Sequence, residues 1–291
     1  MALFIAEEPV ELEAPVFVLA LDGWVDAGSG TALARAALLE QMDTHRFGSF
    51  DADALIDYRA RRPTMMLADG VIQSLRWPSI EVRHGVDRAG NDVVVIHGPE
   101  PDTSWQAFCA EVVGLAQGYA ARMVVGLGSF PAPVPHTRAV RLASTAATRA
   151  LADQVGYVSG VMEVPCGIHA AIEGRCQAAG VPAVGIWARV PHYLAASTYP
   201  AAGAALVDGL AAVAGLTLQS TDLHAEAAAA RIRIDGLVAE SAEHRELVRQ
   251  LEAQADSEDD AVGPAITATD PDTLQQGLSE IEEFLRDQNN K

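Results

Sequence analysis

The sequence predicts an α/β protein: a mixed, largely parallel sheet flanked by helices, with a helical extension at its C-terminal end. Three observations carry this. The runs "PVFVLALDG", "RMVVGLGS" and "PAVGIWARV" are short, continuously apolar and bounded by turn residues, the pattern of strands covered on both faces. Stretches of helical periodicity alternate with them, as in a sheet built from strand–helix units. Near Thr221 the composition shifts, and the rest is helical and charged.

Taken in order, residues 15–23 form the first buried strand. Residues 27–42, rich in Ala and Leu, form a helix with Asp26 as candidate N-cap. Residues 47–97 read differently. "SIEVRHGVDRAGNDVVVIHG" alternates in its first half and carries a Gly-Asn turn near Gly90, a hairpin signal. "TSWQAFCAEVVGLAQGYA" is an amphipathic helix, with Cys109 on its core side. The second buried strand, residues 122–129, runs into the proline-rich loop "FPAPVPHT". "AVRLASTAATRALADQ" resumes a helical pattern, "GIHAAIEGRCQAAG" is a further helix, and residues 182–190 form the third buried strand. After the loop "VPHYLAASTYP" comes the helix "AAGAALVDGLAAVAGL".

The domain reading is an α/β core over residues 1–220 and a helical extension over 221–291. In the extension Leu223, Ala230, Leu237, His244 and Leu251 recur every seven residues, with Ala227, Ile234, Ser241, Val248 and Ala255 four positions after each. This predicts one long helix packed on a neighbour. An acidic linker near 256–269 follows. Asp270 and Pro271 then open a short helix with Leu274, Leu278, Ile281 and Leu285 on one face. From Thr221 onward there are 17 acids and 6 bases, so the extension holds most of the chain's charge on a solvated helical surface.

Composition excludes several functions. The formal charge of −19 opposes nucleic-acid binding and attachment to anionic membranes. No apolar run approaches the roughly 20 residues of a membrane span, and "MALFIAEEPVELEAP" gains acids where a signal peptide needs bases. A cytoplasmic protein is expected. The only lysine is Lys291, which leaves none for a P-loop, a Schiff base or a kinase of the usual type. Cys109, Cys166 and Cys176 are expected as reduced thiols. The helices are rich in alanine and aromatics are only 5%, so further apolar area is expected to be buried between subunits of a closed homo-oligomer.

Four groups bear on chemistry. His136 in "VPHT" and His192 in "VPHY" both follow strand ends, where open α/β sheets bind ligands. With Asp26 and with Arg138 as an anion holder, they define a candidate ligand pocket. The alternative is that each histidine closes its own loop. Neither loop contains a G-x-S-x-G nucleophile elbow, and no catalytic residue is assigned. Arg59, Arg61 and Arg62 in "DYRARRP" are able to hold an anion or a partner's acids, or to pair with the chain's own carboxylates. Cys166, His169, Glu173 and Cys176 form one helical stripe of metal-ligand types, but a closed tetrahedral site rarely comes from one helix, so no metal is expected. "GLGS" lacks the third glycine and the acidic residue of a dinucleotide fingerprint; close packing is expected there, and no cofactor.

Read together, "GWVDAG", "DYRARRP", "GPEPD", "GLGSFPAPVPHTRAV", "PCGIHA" and "WARVPHYLA", in this order and followed by the acidic helical tail, resemble the proteasome assembly chaperone 2 family, in an actinobacterial form, over nearly the whole chain. The resemblance implies a core similar to purine nucleoside phosphorylases, self-association as a trimer, and a non-enzymatic role in assembly or interaction. The alternative it leaves is a small-molecule binder or enzyme of the nucleosidase or phosphorylase type. Members that dock onto proteasome rings end in a hydrophobic residue, a tyrosine and a final residue, whereas this chain ends "DQNNK".

Overall fold

The computed structural model describes residues 2–260, apart from positions 24, 158, 159 and 162. The elements in chain order are β1 (Phe4–Ala6), β2 (Val16–Asp22), α1 (Gly30–Gln41), β3 (His45–Phe50), α2 (Ala52–Leu55), β4 (Thr64–Ala68), β5 (Val71–Arg76), β6 (Ile80–Val86), β7 (Asp92–Pro99), α3 (Trp105–Gly118), β8 (Met123–Ala132), β9 (Leu142–Ala146), α4 (Arg149–Val155), α5 (Ile168–Ala179), β10 (Ala183–Pro191), α6 (Pro200–Ala214), α7 (Thr221–Ala239) and α8 (Ala242–Asp260). Eight strands form one sheet in the order β1-β3-β6-β7-β2-β8-β10-β9, and β4 pairs with β5 apart from it.

The four central strands β7, β2, β8 and β10 are parallel, and the flanking strands join antiparallel. The sheet is therefore mixed, with parallel pairing confined to its centre. The continuous apolar runs are explained by burial on both faces. Along β2, Val16, Val18 and Ala20 face α1 and α6, while Phe17, Leu19 and Leu21 face α3 and α5. Side chains alternate across a strand, so β2, covered on both faces from Val16 to Leu21, is apolar in both alternating sets. Each such Val, Leu or Phe contributes about 1.5–3 kcal/mol on burial. The expected β6–β7 hairpin is present, and Gly90 supplies the positive φ of 86° in its connection.

Three elements differ from the sequence reading. Residues 139–154 are not one helix: the chain first makes β9, an edge strand against β10, and only then the short α4, whose N-cap Thr148 accepts from the Leu151 N–H. Pairing with β10 overrides the local alanine content here. The single long C-terminal helix is two helices, because the Ser241 hydroxyl accepts the His244 N–H and starts α8 afresh. The first five residues of the expected acidic linker, 256–260, are helical and belong to α8; the rest of it, and the helix from Asp270, lie outside the described residues. Among the described residues, no helix is long and apolar enough to cross a membrane.

Candidate functional site

The parallel strands end on one side, and β8 and β10 leave there through their two Pro-His loops. His136 lies in the first. Its side chain is 1% exposed, and every polar atom of the residue is engaged. Nδ1 lies 2.7 Å from the Tyr193 hydroxyl, which accepts the His136 backbone N–H at 2.9 Å. Nε2 lies 3.0 Å from Asp235 Oδ1. The His136 carbonyl accepts from Arg231 Nη1 at 3.0 Å, and Arg231 Nε also holds both Asp235 oxygens. A carboxylate only accepts, so Nε2 carries the proton toward Asp235 and Nδ1 accepts from Tyr193. Burial is the largest influence on His136 and holds its pKa below the usual imidazole value.

Arg138, two residues on, grips α8. Its Nε and Nη2 each donate at 2.7 Å to one oxygen of Asp256, a bidentate fork, and Nη1 reaches Glu252 at 3.2 Å. Thr137 donates to the same Glu252 oxygen. The hydrogen bond to Asp256 is the main reason that the Arg138 pKa is raised. Helices α7 and α8 thus fold back on one another and meet a single loop, α7 through Arg231 and Asp235, α8 through Glu252 and Asp256.

The other predicted residues go elsewhere. His192 is exposed in a 3-10 turn, with its ring edge-on to Tyr193 at 5.3 Å; the residue of "VPHY" that meets His136 is the tyrosine. Asp26 bonds to neither histidine. Its carboxylate accepts from the Thr31 and Ala32 N–H groups at 2.7 and 3.2 Å and from the Ser129 hydroxyl at 2.8 Å. The N-cap position of α1 is Ser29, not Asp26 as expected; Asp26 precedes the 3-10 turn at residues 27–29 and its carboxylate reaches the first amides of α1 from there. Arg61 pairs with Asp102 at 3.2 Å, and Arg59 touches Asp57 while its side chain stays 89% exposed.

The places where an anion would bind in such a sheet are filled by the chain itself. The start of α1 holds the Asp26 carboxylate, and the start of α5 holds Glu100, whose Oε2 accepts the Ile168 N–H at 2.9 Å. Helix N-termini attract anions, and here both are satisfied internally. Two small cavities lie at this end of the sheet. One is lined by Pro133, Pro135, Arg138, Arg189 and Tyr199, the other by Gly23, Glu100, Gly167, His169 and Trp187; each has about 20 Å³ of room, enough for a water molecule.

The stripe on α5 is buried against the sheet, apart from Cys166, which precedes the helix and is exposed. Among the described residues no three His, Cys, Asp or Glu groups converge to hold a metal. His169 Nε2 accepts the Leu21 N–H at 3.3 Å, and burial takes its pKa down to about 4. Glu173 lies over β8 and β10, where Gly126 and Gly185 leave it room: a Cβ on Gly185 would collide with Glu173 Oε1. Burial pushes the Glu173 carboxyl up to about 7, and Oε1 has no partner. Gly128 is covered by the Trp187 ring, so both glycines of "GLGS" serve close packing. Cys109 is buried in the core, with its thiol pushed up to about 11.

Sequence reasoning missed Tyr193, Arg231 and Asp235. The tyrosine stood beside a flagged histidine. The other two lie 95 and 99 residues from His136, and nothing in their local sequence distinguishes them from the extension's other charged residues.

The PAC2 family profile matches residues 20–238. The chain is 34% identical to the Mycobacterium tuberculosis protein of unknown function Rv2714, over 89% of this chain and 90% of that one, with a TM-score of 0.81. It is 35% identical to the Mycobacterium tuberculosis proteasome-assembly chaperone homologue Rv2125, over 80% and 99%, at a TM-score of 0.75. To a PAC2 family protein from Streptomyces avermitilis the figures are 32%, 80% and 99%, and 0.72. No curated protein matches the chain.

Proposed function

The chain belongs to the PAC2 family, and from that premise we propose that it is a non-enzymatic, self-associating protein that assists the assembly of another complex. The observation that carries this is the closed strand end. His136 and Arg138, the residues best placed to receive a ligand, are bound by Asp235, Asp256 and Glu252 of the chain's own helices. A phosphorylase-type pocket needs those groups free and a cleft of about 300 Å³ or more. The core, residues 1–220, is read as a relative of the purine nucleoside phosphorylase type. In that reading, residues 221–291 are an extension that closes its ligand end. The likeness to a proteasome-assembly chaperone homologue supports an assembly role; in this reading the protein is cytoplasmic and the trimer is the preferred state.

Inorganic phosphate, sugar phosphates and nucleosides should each leave the melting temperature unchanged up to millimolar concentration in a thermal-shift screen. A saturable rise with any of them, abolished in His136→Ala and Arg138→Ala, would overturn the non-enzymatic reading in favour of a small-molecule site.

A further inference from the structure

One of the two cavities at the strand ends draws its walls from five stretches that stood out in the sequence. Gly23 lies in "GWVDAG", Glu100 in "GPEPD", Gly128 in "GLGS", Gly167 and His169 in "PCGIHA", and Trp187 in "WARVPHYLA". These distant segments meet because the parallel strands β2, β7, β8 and β10 all end on this side. Most polar groups here are spent on the chain itself. Trp187 Nε1 donates to Thr145 Oγ1 at 3.2 Å, and Thr31 Oγ1 donates to the Leu127 carbonyl at 3.4 Å. His169 Nε2 accepts the Leu21 N–H at 3.3 Å, so the ring is neutral with its proton on Nδ1. Glu100 differs. Its Oε2 accepts the Ile168 N–H at 2.9 Å, whereas Oε1 receives no hydrogen bond among the described residues, and the residue is only 8% exposed.

We propose that this cavity binds a primary ammonium group, the ammonium ion or the end of an alkylamine, with Glu100 Oε1 as its acceptor. Charge selects the occupant. Among the described residues that line the cavity none is positively charged, since His169 stays neutral down to about pH 4. The base that acts on Glu100 is Arg61, and it is held by Asp102 at 3.2 Å. Burial is the largest influence on the Glu100 carboxyl and raises its pKa, as for a negative charge short of a counter-charge. A buried carboxylate oxygen in this position is costly. A cation that donates hydrogen bonds removes the cost, whereas phosphate or another anion is repelled. Size agrees: an ammonium ion is about as large as water, and the cavity has about 20 Å³ of room. The site is separate from the His136 loop and does not depend on the assembly role.

The test is the thermal melt near pH 7.5 in chloride salts of ammonium, methylammonium, n-butylammonium, potassium, sodium and tetramethylammonium, for the wild type and Glu100→Gln. The glutamine keeps an oxygen for the Ile168 N–H and turns N–H groups toward the cavity, so it removes the acceptor without removing the helix contact. At about 0.1 M, ammonium should raise the wild-type melting temperature by about 3 °C over sodium, saturably, and should not raise that of Glu100→Gln. A rise with ammonium alone assigns the site to the free ion. An equal rise with the alkylammonium salts assigns it to the end of a longer amine, and either result supports the proposal. A second reading uses 15N-labelled ammonium: a bound ion shielded from exchange should give its own proton–nitrogen correlation in the wild type and none in the variant. Potassium or tetramethylammonium matching ammonium, a rise that persists in Glu100→Gln, or neither a rise nor a bound-ammonium signal would each overturn the assignment.

Discussion

Replacing Glu173 by glutamine should stabilise the protein by about 2 kcal/mol at pH 8 and destabilise it by about 1 kcal/mol at pH 4. Glu173 is packed between α5 and the sheet, with Oε1 unpartnered and its pKa raised to about 7 by burial. The unfolded value is near 4.5. Above pH 7 the carboxylate is charged in both states, and the folded state bears the full cost of burying it. That cost is about 3 kcal/mol for a shift of this size, at 1.36 kcal/mol per pKa unit. Between pH 7 and 4.5 the folded protein takes up the proton and the cost disappears, so the wild type gains stability from this group as pH falls. A glutamine has the same shape and never ionises. Its amide still has to find partners, which reduces the gain to about 2 kcal/mol.

His169, one turn before Glu173, works in the opposite direction. Its folded pKa is about 4 against 6.5 unfolded, so between pH 6.5 and 4 only the unfolded chain takes the proton, and stability is lost. Protonating Nε2 would also remove the acceptor of the Leu21 N–H. The two windows nearly coincide, and wild-type Glu173 offsets His169. His97 and His136, both lowered by burial, add to the loss in acid. Buried Glu100, raised by burial, adds to the gain. The difference between Glu173→Gln and wild type isolates one group. Urea midpoints taken from pH 4 to 8 should show that difference rising by about 3 kcal/mol, from slightly negative to positive, between pH 4.5 and 7. Parallel curves would refute the assignment.

The parts of the fold that were legible from residues alone are those where one local rule acts unopposed. β2, β8 and β10 are apolar along most of their length because helices cover both faces. The His169–Glu173–Cys176 stripe was visible as a helical face, and its burial follows from that spacing. β9 was hidden because "RLASTA" favours helix locally, and only the edge of β10 makes it a strand. The β4–β5 hairpin went unread: Asp69-Gly70 is a turn pair, but its strands show no alternation, since neither face meets this chain's core. The partners of His136 were illegible for a different reason. A contact across 99 residues depends on where α7 is laid, and that is decided by Leu223 and Ile234 packing on α6 and its neighbours.

His136→Ala should lower stability by about 2–3 kcal/mol and loosen α7 and α8 together. The imidazole is buried, and its removal leaves a cavity and cancels two side-chain hydrogen bonds, each worth about 1 kcal/mol. The loss stops there because Asp235 keeps both bonds from Arg231, and Tyr193 still receives the backbone N–H at position 136. Arg138→Ala acts on an exposed pair, so its effect should be confined to α8. Hydrogen exchange separates the two variants: amides of both helices should exchange at least tenfold faster in the first, and those of α8 alone in the second. Acid should reproduce the first result in the wild type. With the folded pKa of His136 lowered below 6.5, the contribution of the clasp is complete above that pH and is lost as pH falls below it, when Nδ1 takes a proton and displaces the hydrogen of Tyr193. Exchange in α7 and α8 should therefore accelerate below pH 6 in the wild type and change much less in His136→Ala. The same acceleration in both proteins would show that His136 is not the group that fastens these helices to the strand ends.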